Sequence, residues 1–310
     1  MKVLVLGGYG AVGRHVVAAL REAGDTAYTA GRDTDRADRV VDLRHGDLPP
    51  AALDGIDVVV NAAGVELPGL VAQATDAGAA FVDMTASTGY VYAVEAMSPA
   101  APVVLSVGLA PGLTTLLAAA AYADSPGPVD IALVLGAGEK HGPAATAWSY
   151  DLLGRRFPDT GGGPPVRNYT RGRPFALPGL GRRRLYRADF SDQHTLTRDL
   201  GAPVRTYFGM DSRAATAALA LLTRVPGGSR APRGLHLPGS DRWLAYARTA
   251  TGRACWAQGR SQSRATAVVT VRAARRAVGL DAGVHHVTGI LSLAELAAGD
   301  EGIAIHTPAD

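Results

Sequence analysis

Near the N-terminus "KVLVL" runs into Gly7–Gly13 and then into "RHVVAALREAG", and no other stretch restricts the fold as strongly. Val3–Leu6 is continuously apolar rather than alternating, as in a strand covered on both faces of a parallel sheet. In the following run Val16, Val17, Leu20 and Ala23 share one helical face, and Gly24 ends it. Between strand and helix stands Gly8-x-Gly10-x-x-Gly13. Glycines so placed let backbone approach a pyrophosphate at a helix N-terminus. The loop of Gly8, Tyr9, Gly10, Ala11, Val12 and Gly13 is therefore the expected dinucleotide cradle, an ordinary tight turn being the bland alternative.

The same rhythm continues. Strands are predicted at "DTAYTAGRD", "DRVVDL", "DGIDVVVNAAG", "GAAFVDMTAS" and "APVVLSVG", with helices such as "PGLVAQATDAG" and "LAPGLTTLLAAAAYA" following or between them. The expectation is an α/β fold: a Rossmann-type doubly wound parallel sheet with right-handed crossovers, and a second α+β substrate domain. The character changes near "ADSPGPVD". Beyond it "VDIALVLGAG" reads as a strand, "AATAWSYDLLG" and "DSRAATAALALLTRV" as helices, "RWLAYARTATG" as a strand, and "SRATAVVTVRAARRAVG" as strand passing into helix. The Gly- and Pro-rich run "PDTGGGPPVRNYTRGRPFALPGLGRRR" reads as a long loop over a site. The expected divisions are 1–124 for dinucleotide binding, 125–270 for substrate and dimerisation, and 271–310 returning to the first domain.

With 310 residues and one cysteine, Cys255, no intrachain disulfide is possible. No apolar run reaches the ~20 residues of a membrane span, and the N-terminus does not read as a signal peptide. The expected setting is cytoplasmic, with no membrane partner. The formal charge is only +3, and aromatics are sparse among the arginines of "TRGRP" and "GRRRLYR", so a solvated loop or an anionic small-molecule site is expected there rather than nucleic acid.

Strand two ends Ala30-Gly31-Arg32-Asp33. Arg32 offers a guanidinium fork for the 2′-phosphate of NADP, while Asp33 leaves NAD possible. Asp42 and Leu43 close strand three, where the carboxylate faces an adenine or caps a loop. Asn61, Ala62, Ala63 and Gly64 close strand four with the small residues that let a dinucleotide pass. "NAAG" also occurs in short-chain dehydrogenases, but the Tyr-x-x-x-Lys dyad is absent because lysine occurs only at positions 2 and 140. Asp83 and Thr85, at the end of strand five, are expected at the nicotinamide or substrate edge. In "VGLAPGL", Gly108 and Gly112 are expected to expose N–H groups to a substrate carboxylate at a helix start. Glu139, Lys140 and His141 cluster after a strand, and an imidazole there can exchange protons near neutrality. Asp83, Lys140 and His141 are the catalytic candidates. Trp148, Gln193 and His194 are candidate substrate contacts, and His285–His286 lacks a third ligand for zinc.

"GGYGAVGR", "AGRD", "VVNAAG", "FVDMTAS" and "SVGLAPGLTTLLA", in this order, resemble the saccharopine dehydrogenase-like family. "GEKHGPAATAW", "FSDQHTL" and "GVHHV" extend the likeness to a bacterial short form. The resemblance implies nicotinamide-dependent interconversion of a secondary amine or amino acid with an imine or carbonyl compound; with Arg32 read for NADP, the expectation is an NADP-dependent oxidoreductase, a homodimer, acting on a small imine or carbonyl in specialised biosynthesis. It implies that Ala110, Pro111 and Gly112 lie beside nicotinamide and substrate. No lysine–histidine pair of the lysine-forming enzymes maps onto this chain, so saccharopine itself is not the expected substrate. The alternatives are a C=O or C=C reductase, or an NADP-binding sensor without turnover.

Overall fold

The computed structural model describes residues 1–139, 143–225, 239–299 and 302–307, without the side chains of 143–146. The chain forms two compact units, Met1–Gly112 with Ser263–Ser292, and Leu113–Gln262 with Leu293–Asp310.

The first unit is built on a seven-stranded sheet. Its strands are β1 (Lys2–Leu6), β2 (Thr26–Gly31), β3 (Arg39–Val40), β4 (Val58–Asn61), β5 (Ala80–Asp83), β6 (Pro102–Leu105) and, far along the chain, β15 (Gly283–His286). All pairings are parallel, and the order is β15-β6-β5-β4-β1-β2-β3. The order reverses between β1 and β4, which is where open α/β sheets bind ligands at the carboxyl ends of strands. The side chains of Val3–Leu6 and Val58–Val60 are wholly buried, as continuous apolar runs predict. Helix α1 (Gly13–Glu22) turns Val16, Val17 and Leu20 inward. Helices α2 (Pro50–Leu53), α3 (Pro68–Asp76) and α4 (Thr88–Glu95) complete the crossovers, and Leu70, Val71, Tyr90, Val91 and Val94 join the core around Phe81.

The second unit carries a mixed sheet in the order β10-β11-β12-β7-β13-β14-β16. Its strands are β7 (Val129–Leu135), β10 (Thr170–Leu177), β11 (Gly181–Arg187), β12 (Val204–Met210), β13 (Arg242–Thr249), β14 (Ala254–Arg260) and β16 (Ile303–His306). A small pair, β8 (Arg156–Phe157) and β9 (Val166–Arg167), stands apart. Helix α5 (Leu113–Asp124) is apolar on all sides because it is buried, with Leu113–Ala118 and Ala121 shielded from solvent. Also present are α6 (Pro143–Asp151), α7 (Ser191–Leu200), α8 (Arg213–Leu222) and α10 (Leu293–Ala297).

The structure differs from the sequence reading in four places. The run read as a long loop contains the β10–β11 hairpin: buried Phe175 and Leu177 alternate with exposed Pro174 and Ala176, and Pro174 is tolerated because β10 is an edge strand. "SRATAVVTV" belongs to one helix, α9 (Gln262–Ala277), whose β-branched Val268, Val269 and Val271 are buried, so packing overrides their strand preference. The division falls at Gly112 rather than at 124, because α5 packs on β7, β13 and β14. It falls at Ser263 rather than at 270, and residues after Ser292 group with the second unit, where β16 pairs with β14.

Candidate functional site

The glycine loop is shaped by contacts that no larger residue could make. A Cβ on Gly13 would stand 2.2 Å from the Gly7 carbonyl oxygen, and one on Gly8 2.8 Å from the Thr29 Cα. Gly7 has φ +72°, and its N–H reaches the Ala30 carbonyl at 2.8 Å. The first turn of α1 has no side-chain cap and no acidic residue. Its N–H groups and dipole therefore present an uncapped anion site lined by the residues between Gly7 and Gly13.

Tyr9 folds over the end of β2. A Cβ on Gly31 would meet the Tyr9 hydroxyl at 2.3 Å, and that hydroxyl accepts from the Asp33 N–H at 3.1 Å. The Arg36 guanidinium lies 4.4 Å from the Tyr9 ring centroid and donates to the Tyr9 carbonyl at 3.1 Å. The Asp33 carboxylate accepts from Asp35 N–H at 3.1 Å in its own turn. Arg36 carried no signal in the sequence beyond standing four residues after Arg32.

Asp42 takes the loop-capping role. It caps the 3₁₀ turn Leu43–His45, accepting from Arg44 N–H at 3.1 Å and pairing with the Arg44 guanidinium. Hydrogen bonds from Arg44 hold its carboxyl well below the usual range, and the Arg32 charge adds to this. Leu43 packs against the core of the first unit.

At the carboxyl ends of β4 and β5, Asn61 Nδ2 donates to Asp83 Oδ2 at 2.7 Å and to the Val65 carbonyl at 2.9 Å. The Tyr90 hydroxyl donates to the same oxygen at 3.0 Å, and Thr85 N–H to Asp83 Oδ1 at 2.6 Å. Asp83 is wholly buried, and burial pushes its carboxyl up despite these donors. The expected proton-exchanging carboxylate thus ties β4, β5 and α4 together; Tyr90 is the partner that sequence reading missed. Two buried polar atoms flank this knot without a hydrogen-bond partner, Asn61 Oδ1 and Ser106 Oγ. Ser106 follows β6 with φ +63°, a conformation uncommon outside glycine. Ala62, Ala63 and Gly64 run beside the glycine loop: a Cβ on Gly7 would lie 2.9 Å from Ala63 Cα.

At the loop of Ala110, Pro111 and Gly112, the Gly108 N–H donates to the Pro111 carbonyl at 2.8 Å, within the loop, and the Leu109 N–H to Thr266 Oγ1 of α9 at 3.2 Å. Gly112 has φ +135°, and its Cβ would fall 1.9 Å from the Gly108 oxygen.

In the second unit Gln193 and His194 sit in a buried polar knot. Arg187, 2% exposed, donates to Asp159 at 3.1 Å and to Gln193 Oε1 at 3.0 Å, between the rings of Phe157 and Tyr207. Asp192 accepts from Thr114 at 2.7 Å and Thr206 at 3.0 Å, and burial pushes its carboxyl up. His194 Nε2 is 2.8 Å from Asp189 Oδ1. Trp148 packs its ring edge against Phe190, centroids 4.9 Å apart. Glu139 accepts from Gln262 N–H at 2.7 Å. Lys140 and His141 lie outside the described residues. Among the described residues no cluster could hold a metal ion, and no helix is long and apolar enough to cross a membrane.

Residues 3–105 match the sequence model of the NAD dependent epimerase/dehydratase family, a different family from the one the motifs resemble. No curated protein matches the chain. Amine dehydrogenase from Mycobacterium smegmatis superimposes with TM-score 0.51 at 13% identity, covering 94% of this chain and 96% of that one. That likeness is one of fold. MoeE5 in complex with UDP-glucose and NAD gives TM-score 0.30 at 15% identity, covering 71% of this chain and 92% of its own. A Streptococcus pneumoniae protein provisionally assigned as an NADH-flavin reductase gives TM-score 0.21 at 20% identity over 27% of this chain and 46% of that one, so this chain spans about half its length.

Proposed function

We propose that the chain is an NAD(P)-dependent oxidoreductase, preferring NADP, that interconverts a small imine or carbonyl compound with the matching amine, amino acid or alcohol. The observation that carries this reading is the glycine cradle: Gly13 within 2.2 Å of the Gly7 oxygen at its missing Cβ, opening on the uncapped start of α1. The family match over residues 3–105 supports a nicotinamide cofactor, and the amine dehydrogenase fold supports chemistry at a C–N bond. The saccharopine dehydrogenase-like subtype and a biosynthetic role belong to the same proposal.

A bound nicotinamide would supply the hydride chemistry. The glycine loop and α1 would hold the pyrophosphate, and Arg32 with Arg36 would hold the 2′-phosphate beside Tyr9. Asp33 already binds its own turn, which disfavours a ribose diol contact. Asn61 to Gly64 wall the dinucleotide, while Asp83 positions Asn61 and Tyr90 rather than exchanging protons. The proton that accompanies the hydride falls, on sequence grounds, to His141.

Arg32→Ala is expected to weaken NADPH binding by about 1.5–3 kcal/mol, as for hydrogen bonds to charged groups. NADH affinity should barely move. Calorimetry with both cofactors decides it: equal losses remove the 2′-phosphate assignment. For His141→Ala, kcat is expected to fall ~10²–10⁴-fold with unchanged NADPH affinity. Near-normal turnover in His141→Gln would reduce the histidine to orienting substrate.

A further inference from the structure

The second unit contains a groove of about 440 Å³ that plays no part in the reading above. It lies between the β10–β11 hairpin, the end of β12 and the first two turns of α8. Arg182, Arg183, Arg184 and Arg213 line it, and among the described residues no carboxylate does. Arg182 and Arg184 are exposed on the face of β11 opposite the buried Leu185. Arg183 leaves β11 on the Leu185 face, its Nε donating to the Leu180 carbonyl at 3.3 Å, while Arg213 Nη2 donates to the Arg182 carbonyl at 3.2 Å, which fixes its guanidinium on the rim.

Elsewhere in this unit arginines sit on carboxylates: Arg171 and Arg187 on Asp159, Arg173 on Asp130, Arg253 on Asp124. None of the four groove arginines forms an ion pair among the described residues. Asp211, the carboxylate nearest along the chain, is turned away to the N–H groups of Ala137, Ser212 and Ser240 at 2.7–2.9 Å. The first turn of α8 carries no acidic residue and adds its dipole, with Thr216 and Ala217 lining the groove.

We propose that this groove binds a small ligand bearing two adjacent phosphate groups. Three guanidiniums, those of Arg182, Arg184 and Arg213, offset most of the roughly −3 to −4 charge of two phosphates, each of about −1.5 to −2 near neutral pH. The volume lies within the ~300–1,000 Å³ of small-molecule sites. A nucleic-acid strand fits less well, because the one aromatic ring at the groove among the described residues, Tyr186, is packed down where a Gly172 Cβ would lie 2.6 Å from it.

The probe is sodium tripolyphosphate, titrated by calorimetry into the whole protein with and without saturating NADPH. The expected result is one saturable site that persists with NADPH and weakens as salt is raised. Arg184→Gln with Arg213→Gln should weaken it at least tenfold. Arg198→Gln with Arg260→Gln removes the same charge elsewhere in the unit and should leave it intact. Melting curves verify that both variants fold; should the groove pair melt early, Arg182→Gln alone at its exposed position is read and should weaken binding threefold or more. Equal losses in both pairs, unchanged affinity in the groove variants, no saturable binding, or displacement by NADPH overturns the proposal. So does tighter binding of a twelve-nucleotide DNA strand than of tripolyphosphate, which would make the face a nucleic-acid surface.

Discussion

Gly13→Ala is expected to yield a protein with no measurable NADPH binding, and Gly13→Leu a protein whose first unit no longer folds. A single methyl already stands 2.2 Å from the Gly7 oxygen and 2.9 Å from the Gly8 Cα, both backbone atoms that cannot step aside. Relief requires α1 to move off β1, which uncovers Val16, Val17 and Leu20. Exposing three such side chains costs about 1.5–3 kcal/mol each. The alanine variant, with the milder displacement, separates loss of the cradle from loss of the fold. Calorimetry with NADPH beside a melting curve reads both, and normal affinity in a folded Gly13→Ala protein would refute the cradle.

The second large effect is expected in the other unit. Arg187→Met leaves Asp159 with the half-exposed Arg171 and leaves Gln193 Oε1 with only the longer 3.4 Å bond from Thr206 N–H. Removing one partner of a buried ion pair costs ~3–5 kcal/mol, and the remaining arginine places this case at the lower end. At ~2–4 °C per kcal/mol for a unit of this size, the melting temperature should fall on the order of 6–12 °C. Burial pushes the Asp159 carboxyl up, but Arg187, and then Arg171, bring it below the usual range. A depressed folded pKa stabilises above the unfolded value of ~3.9 and ceases to do so as pH falls through the folded one. The gap between wild type and Arg187→Met should accordingly be widest above pH ~5 and close in acid. A pH-independent gap would assign the loss to packing against Phe157 and Tyr207 instead.

The first unit was largely legible in the sequence because its signals are local. An apolar run, glycines at fixed offsets and an amphipathic stretch each declare themselves within a dozen residues, and β1, α1, β4, β5 and β6 follow. The β10–β11 hairpin escaped because Gly and Pro mark both irregular loops and the turns and edges of antiparallel strands. In α9 the valines are held helical by burial, which no local preference reports. The site shows the same split. Sequence places carboxylates at strand ends, but it does not say whether their oxygens are already spoken for. Asp42 belongs to Arg44, and Asp83 to Asn61, Thr85 and Tyr90.

The chain leaves the first unit after Gly112 and re-enters it at Ser263, so α9 and β15 are made only after most of the second unit. On the ribosome β6 therefore emerges as a bare sheet edge, and its neighbour β15 reaches it when Gly283 comes to lie beside Pro102. An unpaired edge of this kind templates association between nascent chains. The Val107 carbonyl, which Thr270 of α9 satisfies, waits equally long for its donor. A chain that has made β6 but ends before residue 283 lacks β15 and leaves the β6 edge of the sheet unpaired.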